Sequence, residues 1–249
     1  MASSGPSRRE LLSASALAGS TVILDSFSAG AKTISGQVPW SPGEANNPLP
    51  ITAGPNQFFN SQEAAWVDAA VSRLIPADEL GPGAKEVGVT VFLDRQLAGA
   101  YGRAERWYMG GPWAKGTKTQ GYQSRMTPAQ MYRAGISAVD EYCKGKFQNK
   151  GFAELSSEDQ DKILGELEQG KISLEKVDAT AFFKQLLLNT QEGFFADPMY
   201  RGNKDMAAWK MIGFPGARYD YRDFVAKHNQ LFPLPPVSIQ GRPAWNIKS

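Results

Sequence analysis

The chain has 249 residues, with 27 lysines and arginines against 25 aspartates and glutamates, one histidine and one cysteine. A formal net charge of +2 gives no electrostatic argument for binding nucleic acid, which needs a clustered basic surface. One cysteine and one histidine cannot form a Cys/His zinc site, hold an iron–sulfur cluster or attach a haem through C-x-x-C-H. This composition weighs against an enzyme that works without a partner.

Residues 1–31 have the order of an export signal. Arg8 and Arg9 precede a mildly apolar run over residues 11–24, and an A-x-A cleavage motif follows at residues 29–31. Adjacent arginines are typical of a twin-arginine signal, which exports proteins already folded. A basic tail and an uncleaved membrane anchor are alternatives, but a spanning helix needs about 20 mostly apolar residues. The sequence therefore predicts a periplasmic protein exported by the twin-arginine translocase.

Residues 32–57 follow as a segment rich in proline, glycine, serine and asparagine. Proline fixes φ and removes a backbone donor, so the segment can form neither a long helix nor a central strand. We expect a linker or an extended arm that lies on another surface.

Six helices are predicted from apolar residues at three- and four-residue spacing. Capping residues mark four of the starts: Asn60 with Glu63 nearby, Thr127 with Pro128 and Gln130, Ser156, and Asp178. The predicted ranges are, in chain order, 61–75, 87–100, 128–146, 157–168, 179–195 and 206–212. A long, glycine-rich and aromatic loop is expected over residues 101–126, of the kind that is usually functional or ordered by a partner.

The predicted fold class is all-α, a single irregular helical domain over residues 58–225 with long loops and extended N- and C-terminal arms. The C-terminal arm is the proline-rich tail 226–249. The sequence contains no alternating strands, no G-x-G-x-x-G and no repeat, so a nucleotide-binding α/β domain is not expected.

Residues suited to catalysis are few. His228 lies beside Lys227 and is interpreted as a surface imidazole. Neighbouring carboxylates occur on strongly polar helix faces, where solvation explains them better than acid–base catalysis does; they are Asp140/Glu141, Glu158/Asp159 and Glu166/Glu168. We assign no catalytic, metal-binding or cofactor-binding residue to this chain.

Cys143 is a single cysteine in a chain predicted to be exported. Two interpretations are open. A free cysteine is commonly a buried, inert thiol, whereas an odd cysteine in an exported protein can also form a disulfide with another chain. Cys143 is therefore a candidate for an inter-subunit disulfide.

The densest unusual segment runs from Gly193 to Tyr221, where aromatic residues alternate with glycine, proline and charged residues. Part of this pattern is expected of a core with turns. Aromatic residues, methionine and arginine are also enriched at protein interfaces. We take six residues as candidates for contact with a partner: Phe195, Asp197, Tyr200, Trp209, Phe214 and Arg218.

The same segment resembles the signature of the gluconate 2-dehydrogenase subunit 3 family. The matching residues, called here the signature segment (residues 192–218), are Glu192–Pro198, Tyr200, Gly202–Asn203, Asp205–Met206, Trp209–Lys210 and Gly213–Arg218. Residues 69–78 and Gly88–Val89 also resemble the family's first helices, and the resemblance covers essentially residues 55–225. Arg201 departs from the family pattern, which leads us to expect glycine there.

The resemblance implies an auxiliary subunit without a redox group. In complexes of this family, a large subunit carries FAD and performs the oxidation, and a multihaem cytochrome c subunit passes electrons towards quinone in the membrane. The small subunit would stabilise the large one, and its twin-arginine leader would export the folded large subunit. The resemblance implies gluconate as the substrate of the complex, with fructose, glucose and 2-ketogluconate as alternatives.

Two other functions are consistent with the sequence. The first is a free-standing periplasmic enzyme that uses acidic residues, which would require clustered carboxylates with shifted pKa values in a pocket. The second is a subunit whose aromatic segment covers a partner's flavin or cluster. Activity of the isolated chain would distinguish an enzyme from a subunit.

Overall fold

The computed structural model describes residues 54–239, except Lys115, Lys118 and Tyr219. The predicted signal with Arg8 and Arg9, the arm up to residue 53 and residues 240–249 lie outside the described residues. Within the described part the fold is helical and contains no strand, as expected. None of the helices described there is both long and apolar enough to cross a membrane.

Six α-helices form, close to the predicted ranges. They are α1 (Ser61–Leu74), α2 (Val89–Ala98), α3 (Pro128–Lys146), α4 (Ser157–Glu168), α5 (Ala179–Phe195) and α6 (Ala207–Ile212). Short 3-10 helices lie at Phe152–Glu154, Pro198–Tyr200, Lys204–Met206 and Arg222–Phe224. The predicted long loop separates α2 from α3.

Side-chain caps begin the helices where the sequence predicts them. Asn60 accepts a hydrogen bond from the Glu63 backbone N–H at 2.9 Å, and the Glu63 carboxylate accepts one from the Asn60 N–H at 2.9 Å. The same reciprocal pair joins Thr127 and Gln130 at the start of α3. Each pair satisfies two backbone donors that a helix terminus otherwise leaves free. Helices α4 and α5 are capped by Ser156 and Asp178.

The core lies where α1, α3 and α5 meet. The Trp66 ring lies 4.8 Å from that of Phe152 and 5.8 Å from that of Phe182, measured between centroids. Gly135 allows the Phe182 ring to lie directly against α3, since a Cβ at Gly135 would be 2.4 Å from that ring. Close packing of these rings fills the space between the helices.

The start of the domain is fixed by one carboxylate. Asp94 of α2 is 1% exposed and accepts hydrogen bonds from the backbone N–H groups of Gln57, Phe58 and Phe59 at 2.8, 2.9 and 2.9 Å. Arg133 adds a second contact, because its guanidinium lies 4.2 Å from the centre of the Phe58 ring. Residues 57–59 are therefore part of the packed domain.

Candidate functional site

The signature segment begins in the last turn of α5 and continues as a chain of tight turns. Four of its residues other than glycine have left-handed backbone angles, with φ of 78° at Arg201, 47° at Asn203, 58° at Asp205 and 55° at Met206. Side chains of L-residues disfavour this region, by about 1–2 kcal/mol each, although asparagine and aspartate tolerate it better. Such a run persists only where surrounding contacts fix it.

Buried hydrogen bonds supply those contacts. The Asn203 side chain is completely buried; its Nδ2 donates to the Ala196 carbonyl and its Oδ1 accepts from the Ala208 N–H, both at 2.9 Å. These bonds join the end of α5 to the start of α6. Gly202 lies so close to Gly193 that a Cβ would be 2.1 Å from the Gly193 carbonyl oxygen. The glycines and the asparagine of the signature are therefore needed for the shape of the segment.

Arg201 has a backbone conformation that glycine adopts without steric cost. We therefore expect Arg201→Gly to stabilise the protein. The φ of 78° at Arg201 lies in the left-handed region, and the Arg201 side chain is exposed. The gain in free energy of unfolding should be about 0.5–1 kcal/mol, measured by urea denaturation. Gly202→Ala is a control with the opposite expected result. Its Cβ would clash with the Gly193 carbonyl oxygen, so it should strongly lower the free energy of unfolding. A less stable Arg201→Gly variant would contradict this explanation.

Asp197 and Arg218 hold the C-terminal tail. The buried Asp197 carboxylate accepts hydrogen bonds from the Ser238 hydroxyl at 2.7 Å and from the Ile239 N–H at 2.6 Å. Arg218 donates to the Pro235 carbonyl, and its guanidinium lies 5.0 Å from the centre of the Phe232 ring. The described part of the tail thus lies on the signature segment of the same chain, and these two candidate residues have a structural role there.

Gly216 brings the tail close to the segment. The Ala217 N–H donates to the Val237 carbonyl at 2.7 Å, and the Val237 N–H donates to the Pro215 carbonyl at 3.2 Å. Gly216 has φ +77°, and a Cβ there would lie 2.3 Å from the Val237 carbonyl oxygen. Only glycine permits this backbone-to-backbone contact.

Three candidate residues are brought together around α6. Trp209 is 6% exposed, its Nε1–H donates to the Phe195 carbonyl at 2.8 Å, and the Phe214 ring meets it edge-on at 5.1 Å. The side chains of Phe195 and Phe214 are about two-fifths exposed, at 41% and 43%. Tyr200 is also exposed, and among the described residues its ring makes no aromatic contact with this group. Of the six candidates, Phe195, Tyr200 and Phe214 are exposed rings. Asp197 and Trp209 are buried supports, and Arg218 is partly exposed.

Two apolar residues beside this group were not among the candidates. Met211 and Ile212 end α6 and are 40% and 56% exposed. Met211 lies beside the turn at Gly81, next to the exposed Leu80. We call Phe195, Met211, Ile212 and Phe214 the apolar surface. The signal that could have found the two missed residues is the short length of α6, whose six residues cannot bury every apolar side chain.

Cys143 lies on the buried face of α3 and has no exposed area. Burial raises the pKa of its thiol to about 12, and the charge of Asp140 adds to the shift. A disulfide with another chain would require the sulfur to leave this core. Of the two interpretations of Cys143, burial favours the inert thiol, and the inter-subunit disulfide stays a prediction.

We expect Cys143 in the folded protein not to react with Ellman's reagent at pH 8. The thiolate is the reactive form, and with a pKa of about 12 almost none is present at that pH. One equivalent of thiol should appear only in denaturant, measured by absorbance. Rapid labelling of the native protein, or a larger species on non-reducing mass spectrometry, would contradict the buried, inert thiol.

Within residues 54–239, the three undescribed positions aside, no three or more His, Cys, Asp or Glu side chains are grouped so that they could hold a metal ion. His228 is exposed, as expected.

Comparison with known proteins gives one match. A family model described as gluconate 2-dehydrogenase subunit 3 matches residues 61–216. No curated protein and no solved structure matches the chain significantly. The matched range begins with the first residue of α1 and ends at Gly216, so it includes all six helices and the turns of the signature segment.

Proposed function

Because the chain belongs to the gluconate 2-dehydrogenase subunit 3 family, we propose that it is the non-catalytic small subunit of a periplasmic, FAD-dependent sugar or sugar-acid dehydrogenase. Gluconate is the first candidate substrate of the complex, and fructose, glucose and 2-ketogluconate are the alternatives. In this proposal FAD belongs to the large subunit and haem c to a cytochrome subunit. The small subunit stabilises the flavoprotein and accompanies it through the twin-arginine translocase.

The observation that carries the proposal is the apolar surface. Its four side chains are exposed, although the backbone beneath them is fixed by the buried Asn203 and Trp209. Exposed apolar patches mark interaction sites, and a rigid patch loses less conformational entropy when a partner binds. We propose that the large subunit docks on this surface by shape and apolar contact, in keeping with the low net charge of +2.

Purification of the chain from its native host tests this proposal. A flavoprotein of larger mass should co-elute in a one-to-one ratio, and sugar-acid oxidation should follow the complex. The isolated chain should be inactive. A stable monomer without a flavoprotein would overturn the proposal, and oxidation by the isolated chain would favour a free-standing enzyme.

The export role has its own test, Arg8→Lys combined with Arg9→Lys. We expect both this chain and the dehydrogenase activity to remain in the cytoplasm, because the twin-arginine pathway depends on the arginine pair. Activity should be measured in separated periplasmic and cytoplasmic fractions. Normal periplasmic activity in this variant would count against the escort role while leaving the subunit role intact.

A further inference from the structure

A groove separate from the apolar surface lies between the long loop and α5. Its cavity volume is about 1050 Å³. Tyr101, Trp107 and Tyr122 line it from the loop, and their rings contact one another, Trp107 lying 5.6 Å from Tyr101 and 4.9 Å from Tyr122. Helix α5 contributes Leu188, which is half exposed. The groove is large enough for a short peptide segment.

The polar groups that run along α5 from Gln185 to Glu192 use their donors on each other and on Tyr101. Gln185 Nε2 donates to the Tyr101 hydroxyl at 2.5 Å and to Asn189 Oδ1 at 2.9 Å. Tyr101 donates to Asn189 Oδ1 at 3.0 Å, and Asn189 Nδ2 donates to the Glu192 carboxylate at 2.7 Å. Asn189 is buried, so this arrangement is fixed.

Acceptors therefore remain for a ligand. Within the described part of the chain, Gln185 Oε1 and one oxygen of Glu192 take part in no hydrogen bond. Both residues line the groove. Aromatic faces beside a carboxylate attract a cationic group through the charge and the ring quadrupole together. The Glu192 end of the groove thus suits a lysine or arginine side chain.

The other end has the opposite charge. Lys184 lies eight residues before Glu192 on α5, about 12 Å away at the helical rise of 1.5 Å per residue. Lys176 also lines this end, together with Asp178, so cations outnumber carboxylates there. Arg125 reaches the groove from the loop. The groove has a carboxylate at one end, cations at the other and apolar rings between them.

We propose that this groove receives an extended peptide segment of the partner subunit, with a basic residue at Glu192 and an acidic residue at Lys184. An extended chain advances about 3.3 Å per residue, so these two residues are about four positions apart. An apolar side chain between them packs on Trp107 and Leu188. The proposal rests on the proposed function, because it requires a partner chain. It also assigns a role to Glu192, the first residue of the signature segment, which is not part of the apolar surface.

Photo-crosslinking in the native host tests the occupant. Benzoylphenylalanine placed at Leu188 in the full chain should crosslink to the co-purifying flavoprotein, at a peptide that carries the basic and acidic residues four positions apart. The same probe at the exposed Glu168 of α4 is the control and should not reach that peptide. A crosslink from Leu188 to residues 32–53 of the same chain, to a second copy, or to nothing in an intact complex would overturn the proposal.

Charge reversal tests the chemistry. Glu192→Lys should lower the affinity of the complex about tenfold, the range expected when one charge of an interface pair is reversed. Glu192→Gln keeps an oxygen that accepts from Asn189 and should lower the affinity less than Glu192→Lys does. Comparison of the two variants separates a loss of charge from a loss of folding. Glu168→Lys is the matched control. If Glu192→Lys retains the flavoprotein as well as the wild type does, the groove proposal fails and the proposed function survives. If the wild-type chain retains no flavoprotein, the proposed function fails.

Discussion

A Trp209→Ala variant should lose about 3 kcal/mol of unfolding free energy, the range for truncating a buried aromatic ring. Trp209 is 6% exposed, and its indole N–H satisfies the Phe195 carbonyl. Removing the ring leaves a cavity between α5 and α6 and a carbonyl without its donor. Urea denaturation followed by far-UV circular dichroism measures the loss. A folded, fully stable Trp209→Ala variant would show that the ring supports nothing.

Phe214→Ala is the informative comparison, because Phe214 contacts the same indole from the exposed side. It should leave the free energy of unfolding within about 1 kcal/mol of the wild type. It should weaken binding of the flavoprotein by about 2 kcal/mol, or about 30-fold, if Phe214 is an interface anchor. The exposed Tyr108 is a control, and Tyr108→Ala should change neither quantity. Unchanged affinity in Phe214→Ala would remove the apolar surface as the docking site.

Asp94→Ala should lower the free energy of unfolding by about 3 kcal/mol. The substitution removes the acceptor of three consecutive backbone N–H groups, those of Gln57, Phe58 and Phe59, in a place where water does not replace it. Hydrogen bonds to a charged group contribute more than neutral ones. Asp94→Asn keeps one acceptor oxygen and should lose less.

Thermal and urea denaturation would check the Asp94 variants against Asp223→Ala. Asp223 is an exposed carboxylate of the 3-10 helix Arg222–Phe224, and its removal should change the stability by less than about 0.5 kcal/mol. Equal stabilities of the Asp94 and Asp223 variants would mean that residues 57–59 contribute nothing to the packed domain.

The helices could be predicted because their signals are local. The capping pairs of Asn60 with Glu63 and of Thr127 with Gln130 lie within one turn, so their geometry follows from the sequence spacing alone. The remaining differences are of one or two residues at the helix ends.

The functions of the six candidate residues could not be separated from sequence. Aromatic composition showed that the signature segment is unusual, but side-chain direction depends on the backbone. Side-chain direction is usually inferred from the periodicity of a helix or a strand. The four left-handed residues from Arg201 to Met206 interrupt both periodicities. Whether Trp209 faces inwards and Phe214 outwards is therefore set by the turns.

The groove depended on contacts that are distant in sequence. Tyr101 and Asn189 are 88 residues apart and meet only because the loop returns to α5. The sequence singled out the loop as aromatic and functional, and it placed Glu192 in the signature. No local pattern indicated that the loop and Glu192 share one cavity. The acceptors that stay free there become visible only when the hydrogen-bond partners of Gln185 and Asn189 are known.

The carboxylate of Asp94 also determines how the domain responds to mechanical tension. A pull along the chain from its N-terminal side first meets the contact of the Pro55 carbonyl with Arg95 and then residues 57–59. The three N–H groups donate to the two oxygens of one carboxylate, and because they lie at successive positions of the chain we expect a pull to break these bonds one after another. Only then does tension reach Asn60 and the first turn of α1. We therefore expect the N-terminal edge of the domain to open under tension before the aromatic core is strained.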